Sequence, residues 1–261
     1  MIPMLTIIFF ILGLIIGSFL NVVILRYNTG KSFRGRSGCM TCRNLLSWYE
    51  LIPLISFVAL GGKCKNCKTK ISFQYPLVEL SMGLIFMGLF LKFQDLFYFD
   101  TLAFSFTYGY YAVMFSLLMI IAVYDLKHKI IPDLLSFIFG ALAFVGMFFF
   151  SSNGYYTHIP NLSDFLSGLA VAVPFSLFWF LSKGAWMGLG DAKLSLGLGW
   201  FLGLSMMLSG VVVAFWSGAI IGLVLISFSK MHGMKSEIPF APFLVFGTVI
   251  AFLFELHLFP F

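Results

Sequence analysis

No charged side chain precedes Arg26, and the stretch before it, "MIPMLTIIFFILGLIIGSFLNVVIL", is almost wholly apolar. Hydrocarbon offers the backbone no hydrogen-bond partner, so such a run crosses a bilayer as a helix that keeps its bonds internal. About 20 apolar residues suffice, at roughly 1.5 Å per residue. Comparable runs recur near 3–25, 77–93, 102–124, 131–150, 164–182, 192–204, 207–229 and 240–258. The expected fold class is therefore an all-α polytopic membrane protein with about eight transmembrane helices. Composition agrees: 61% of residues are hydrophobic and only 10% charged, where soluble domains carry about 25%. The first run is too long for a signal peptide, has no basic start and is followed by no small-residue cleavage site, so it is expected to be retained. The sixth, "AKLSLGLGWFLGL", is short and glycine-rich. It is expected to thin the bilayer locally or to be partly buried among its neighbours.

Threading eight spans sorts the loops into two sets. One set, 26–76, 125–130, 183–191 and 230–239, together with Lys193 just inside its helix, holds 15 of the 16 Lys and Arg residues. Only Lys92 falls near the other side. The positive-inside rule places this set in the cytoplasm and both termini outside. The net charge of +6 thus belongs to the membrane surface, and the lipid bilayer, not nucleic acid, is the expected partner.

All four cysteines, Cys39, Cys42, Cys64 and Cys67, lie in the loop 26–76, as two C-x2-C pairs separated by 21 residues. Two such knuckles in one short loop point to a tetrahedral structural zinc site. The alternatives are redox pairs or free thiols, and a cytoplasmic position disfavours structural disulfides. About 50 residues build little core unaided, so a metal staple makes physical sense. Between the knuckles "LLSWYELIPLISFVAL" is apolar, but Glu50 and Pro53 interrupt it. It reads as a membrane-hugging or buried segment. The expected organisation is a first transmembrane helix (1–25), a cytoplasmic zinc-binding loop domain (26–76) and a seven-helix membrane domain (77–261).

Carboxylates are costly in this setting. Asp125 ends the third span and Asp191 begins the sixth, at the same membrane face. If they meet, two carboxylates a few Å apart share one proton. One then takes a proton from water while the other donates one, which is aspartic proteolysis. Gly188 and Gly190 are expected to let the backbone bend there. Helix dipoles would place the shared proton on Asp125, at a helix C-terminus, and leave Asp191 ionised at a helix start. The plainer alternative makes Asp125 a helix-end charge beside Lys127 and Lys129, and Asp191 an N-cap. Asp133 and Asp164 read as first-turn or capping residues. Lys193 reads as an interface anchor with no assigned part in the chemistry. His128, His158, His232 and His257 are scattered and form no ligand pair.

Five segments together carry a family likeness: "GSFLNVVILR" (17–26), "CMTCRNLLSWYELIPLISFVALGGKCKNCKTKISFQYPLVEL" (39–80), "DLKHKIIPD" (125–133), "GLGDAKL" (188–194) and "IPFAPFL" (238–244). In this order, over nearly the whole chain, they resemble the bifunctional type IV prepilin peptidases. The Tyr124–Asp125 and Gly-x-Gly-Asp pairing also resembles presenilin-like intramembrane proteases. The resemblance implies a bacterial inner-membrane enzyme. It would cleave the short basic leader of type IV prepilin or pseudopilin precursors at the cytoplasmic face. It would then N-methylate the new N-terminal residue with S-adenosylmethionine. Asp125 and Asp191 match the family's catalytic aspartates, and the four cysteines match its zinc ligands. Methylation is associated with the zinc-bearing loop, where Glu50, Gly62 and Glu79 fall in motif positions without assigned roles. No glycine-rich βαβ fingerprint marks an S-adenosylmethionine pocket. The chain departs from the pattern at Met40, Lys68, Gln74 and Ala241. Two other classes stay in view: a presenilin-like signal-peptide protease without methyl transfer, which the zinc loop opposes, and a non-enzymatic zinc-ribbon scaffold, which the paired aspartates oppose.

Overall fold

The computed structural model describes residues 2–30, 32, 35–151, 154–185, 187–228 and 238–259. His232, named above, and Lys31, Arg34, Lys230 and Lys235, counted among the loop cations, lie outside them. The described residues are mostly helical, with almost no strand. The helices are α1 (Ile2–Arg26), α2 (Ile55–Ala59), α3 (Gln74–Lys92), α4 (Gln94–Phe99), α5 (Thr101–His128), α6 (Asp133–Gly146), α7 (Leu162–Ser182), α8 (Leu189–Leu202), α9 (Leu204–Phe228) and α10 (Ala241–Leu253). Among the described residues the one sheet is an antiparallel pair, β1 (Phe150–Ser151) with β2 (Gly154–Tyr155).

Each of the eight apolar runs falls on a helix. Among the described residues, α1, α3, α5, α7 and α9 are long and apolar enough to cross a membrane. α6, α8 and α10 have 14, 14 and 13 residues. At roughly 1.5 Å per residue they are shorter than a bilayer core of about 30 Å. The chain forms two compact units, Met1–Gln94 and Asp95–Phe261.

In the first unit α1 packs on α3. The crossing is close because small residues meet there. A Cβ on Gly17 would lie 2.8 Å from the Glu79 Cα, and one on Gly83 would lie 2.8 Å from the Leu14 and Phe10 side chains. Gly13 and Gly17 thus form the small-residue face that lets membrane helices approach. Between the two helices runs the cysteine loop. Two isolated antiparallel bridges, Gly38 with Leu45 and Lys63 with Lys70, close its two knuckles.

In the second unit α5 is the core helix, buried along its length from Phe115 to Asp125 apart from a few intermediate positions. α8 packs against α6 and α7, and α10 against α5 and α9. Glycines again set the spacing: a Cβ on Gly199 would lie 2.6 Å from the Gly168 Cα of α7. Rings of Tyr111, Phe115, Phe201 and Phe252 interlock between α5, α8 and α10, at centroid distances from 4.5 Å to 6.0 Å. The phenylalanine-rich composition is therefore partly core packing and partly exposed apolar surface.

Candidate active site and cysteine centre

Asp125 lies in the last turn of α5, four residues before the left-handed Lys129 (φ 54°) whose N–H donates to the Asp125 carbonyl at 2.7 Å. Asp191 is the third residue of α8, with Gly188 at the N-cap. Both side chains are buried, at 5% and 7% exposure. The chain therefore hides two acids at helix ends where water would cost nothing, which a plain helix-end charge does not require.

Three contacts bring the ends of four helices to one place. Ile131, just past α5, packs on Gly190 so tightly that a Cβ there would lie 2.9 Å from the Ile131 Cβ. Lys193 of α8 pairs with Asp133 of α6 at 2.7 Å. The Ala241 N–H, at the first residue of α10, donates to Asp125 Oδ2 at 3.3 Å. The C-terminus of α5 and the N-termini of α6, α8 and α10 thus gather around the two aspartates. The Ile131–Gly190 and Ala241–Asp125 contacts place both carboxylates at this junction. Asp191 Oδ1 is buried with no hydrogen-bond partner among the described residues. Such an atom is costly unless it has work to do.

Several sequence expectations change here. Neither glycine supplies a left-handed bend. Gly188 has φ −75°, and Gly190 is helical, its lack of a side chain making room for Ile131. Asp191 is not the N-cap. Asp133 opens α6 behind Pro132, and its partner gives Lys193 a structural place. Asp164 closes a capping box with Asn161. Ala241 carries a contact the sequence reading missed. Its N–H sets the start of α10 against Asp125, so the dipole of α5 alone does not decide where a shared proton rests.

In the first unit the Sγ atoms of Cys39, Cys42, Cys64 and Cys67 lie within 4.8 Å of one another and could hold a metal ion. Thiolates about 2.3 Å from a tetrahedral zinc stand roughly 3.8 Å apart; Cys39 and Cys67 stand 3.7 Å apart. The knuckles repeat one geometry. Cys39 N–H donates to Asn44 O and Cys64 N–H to Thr69 O, and Arg43 and Lys68, each just after a knuckle, are left-handed at φ 57° and 58°. The backbone N–H groups of Cys42 and Thr41 hold the Cys39 thiol below its usual range. The Thr69 hydroxyl and N–H pull Cys67 down to about 6. Against the Asn44 N–H, which lowers it, desolvation and the other three thiols push Cys42 up to about 11, so only part of the cluster ionises readily without a cation. The donor set fits zinc.

Glu50, Gly62 and Glu79 acquire structural settings. Glu50 Oε2 accepts the Ser47 N–H at 2.7 Å, capping the short 3-10 turn Trp48–Leu51. Gly62 is left-handed (φ 66°), and a Cβ on it would lie 3.1 Å from the Phe57 ring. Glu79, 7% exposed on α3, accepts the Leu54 N–H at 2.9 Å. Leu54 has φ 58° and ψ −49°, and Ile55 N–H donates to Pro53 O at 2.6 Å. That is the rare, strained form of the γ-turn. Glu50 and Glu79 line one cavity of about 540 Å³ together with Cys39 and Cys64.

Residues 11–93 match the bacterial peptidase A24 N-terminal domain, and residues 112–226 match the type IV leader peptidase family. The chain is 34% identical over 245 residues to a prepilin leader peptidase/N-methyltransferase of Myxococcus xanthus, covering 90% of this chain and 67% of that one. It is 31% identical to the Bacillus subtilis protein of the same name, covering 95% and 93%. For the Vibrio cholerae protein of that name the values are 30%, 94% and 95%. No solved structure matches the chain. With matches over both units and relatives aligned nearly end to end, this multi-pass membrane protein belongs to the type IV leader peptidase family.

Proposed function

We propose that the chain cleaves the leader of type IV prepilin or pseudopilin precursors through Asp125 and Asp191, then N-methylates the new N-terminus. The observation that carries the cleavage reading is the pair of buried carboxylates at a four-helix junction. Two acids so placed hold one proton between them. The ionised member accepts a proton from water, and the protonated member donates to the scissile carbonyl oxygen. The tetrahedral adduct then collapses as the leaving amine takes a proton back. The unpartnered Asp191 Oδ1 is available to the attacking water or to the peptide. Charge counting puts this junction at the cytoplasmic face of a bacterial inner membrane, with both termini outside. A substrate helix anchored in the bilayer would hold its scissile bond there.

The four cysteines are proposed as ligands of a structural zinc, which would staple the loop 26–76. That loop, associated with methyl transfer, would work beside the peptidase domain 77–261. S-adenosylmethionine would supply the methyl group.

A purified precursor incubated with the enzyme and S-adenosylmethionine tests the whole reading by mass. Loss of the leader plus one methyl group is expected. Loss of the leader alone would favour a protease without methyl transfer, and no change would favour a scaffold. Asp125→Asn and Asp191→Asn should each slow cleavage by at least about 10⁴-fold, the scale seen when a paired catalytic group is removed. Near-normal cleavage by either variant would remove that residue from the mechanism.

A further inference from the structure

We propose that Asp133 is a specificity residue of the peptidase site, reading a Lys or Arg of the precursor's leader with the carboxylate oxygen that Lys193 leaves open. The inference rests on the leader-cleavage reading and gives it a means of choosing substrates.

Asp133 is the first residue of α6 and Lys193 the fifth of α8. The Lys193 ammonium donates to Asp133 Oδ1 at 2.7 Å. Among the described residues this is the one hydrogen bond to the Asp133 side chain, and Oδ2 takes none. The Asp133 side chain is 74% exposed and that of Lys193 46%. A carboxylate has about four lone-pair positions, so a second cation can share it. Exposed ion pairs add little to stability. Ile131 against Gly190 already holds the starts of α6 and α8 together. Stapling those helices is therefore a weak account of the pair.

The surroundings make Asp133 selective. This end of the second unit carries Lys127, His128 and Lys129 where α5 stops, and Lys183 where α7 stops. All four are exposed. Among the described residues its carboxylates are Asp125, Asp133 and Asp191, and only Asp133 is exposed. One accessible negative charge thus stands on a positive face. A precursor anchored by a single apolar helix, its leader in the cytoplasm, follows the same charge rule as the enzyme. Its Lys and Arg residues lie on the cytoplasmic side of that helix. Such a leader is repelled by the lysines and drawn to Asp133.

The spacing suits a peptide that crosses the aspartates. Helix geometry sets the Lys193 Cα roughly 5 Å from that of Asp191, and the lysine side chain reaches on to Asp133. An extended chain advances about 3.3–3.6 Å per residue, which brings a side chain about three or four residues before the scissile bond to Asp133.

The test is steady-state cleavage of a purified prepilin in detergent, beside the same prepilin with Gln for every Lys and Arg of its leader. Melting temperature reports folding. The wild type is expected to show a KM about fivefold lower for the basic leader, the scale of one partly exposed charge pair. Asp133→Asn should erase that preference through KM, leaving the kcat ratio of the two leaders unmoved. Asp133→Glu should keep the preference, and so should Lys193→Met, which removes the competing cation. Asp133→Lys combined with Lys193→Met should reverse it, favouring a leader that carries Glu. A pair that only staples two helices would change all leaders alike. Equal effects of Asp133→Asn on both leaders, or a wild type that does not distinguish them, overturn the proposal and leave the peptidase reading standing. If Asp133→Asn does not fold, the double variant decides, and an unreversed preference overturns the proposal. A wild type that cleaves neither precursor overturns both readings.

Discussion

Ala241 shows how much a single backbone group can matter. Its side chain is fully buried and its N–H reaches Asp125 from the first residue of α10. Proline is tolerated at a helix's first position because that N–H has no helical partner. Ala241→Pro therefore removes the hydrogen bond while keeping the first helical position, and also presses Phe240 away from its αR conformation. Cleavage by this variant, followed as kcat in detergent, is expected to fall about tenfold, matching roughly 1.4 kcal/mol for one long hydrogen bond to a charged group. Ala241→Ser, which keeps the N–H, should stay near the wild-type rate. Lys68 makes a related point. It follows the fourth cysteine in a left-handed conformation, where glycine carries no steric cost. A glycine at this position would make the same turn without that cost.

At the scale of elements, the site is a matter of how closely α8 can lie against the segment leading into α6. The closeness depends on Gly190, and a methyl group there meets Ile131. Gly190→Ala is expected to separate the two aspartates and lower cleavage strongly, with about 1–3 kcal/mol of destabilisation from overpacking. Gly190→Ala with Ile131→Gly, which also removes the clashing Cβ, should recover part of the rate, and less of the melting temperature because the new glycine costs backbone entropy. The apolar runs were legible as helices, with ends displaced by a few residues; α5, for example, runs past 124 to His128. The aspartates stood out because charge is rare in such runs, and the cysteine spacing was visible without any fold. What stayed hidden depends on tertiary approach. Ile131 against Gly190, the Ala241 N–H and the Glu79 clamp on Leu54 join residues 25 to 116 positions apart. No local pattern encodes such pairs. The glycines were visible, but their reason was not: both looked like hinges, and Gly190 is a packing position.

At the scale of the whole molecule, each compact unit holds one kind of chemistry, thiols and a cavity in one and paired carboxylates in the other. Family membership follows the same division, with one matched segment in each unit. The second unit also mixes helices of very different reach. α5 has 28 residues, while α6, α8 and α10 have 13 or 14. The short helices span only about 21 Å, some 9 Å less than a typical hydrocarbon core. All three begin at the aspartate junction. Lipids beside them must dimple to meet them, at a cost of fractions of a kcal/mol per Å. Water would then reach the acids without crossing oil, and thicker membranes would resist the dimple. In vesicles of increasing acyl-chain length, precursor cleavage is expected to slow severalfold at constant enzyme content. The hydrolase would then respond to membrane thickness as well as to its substrate.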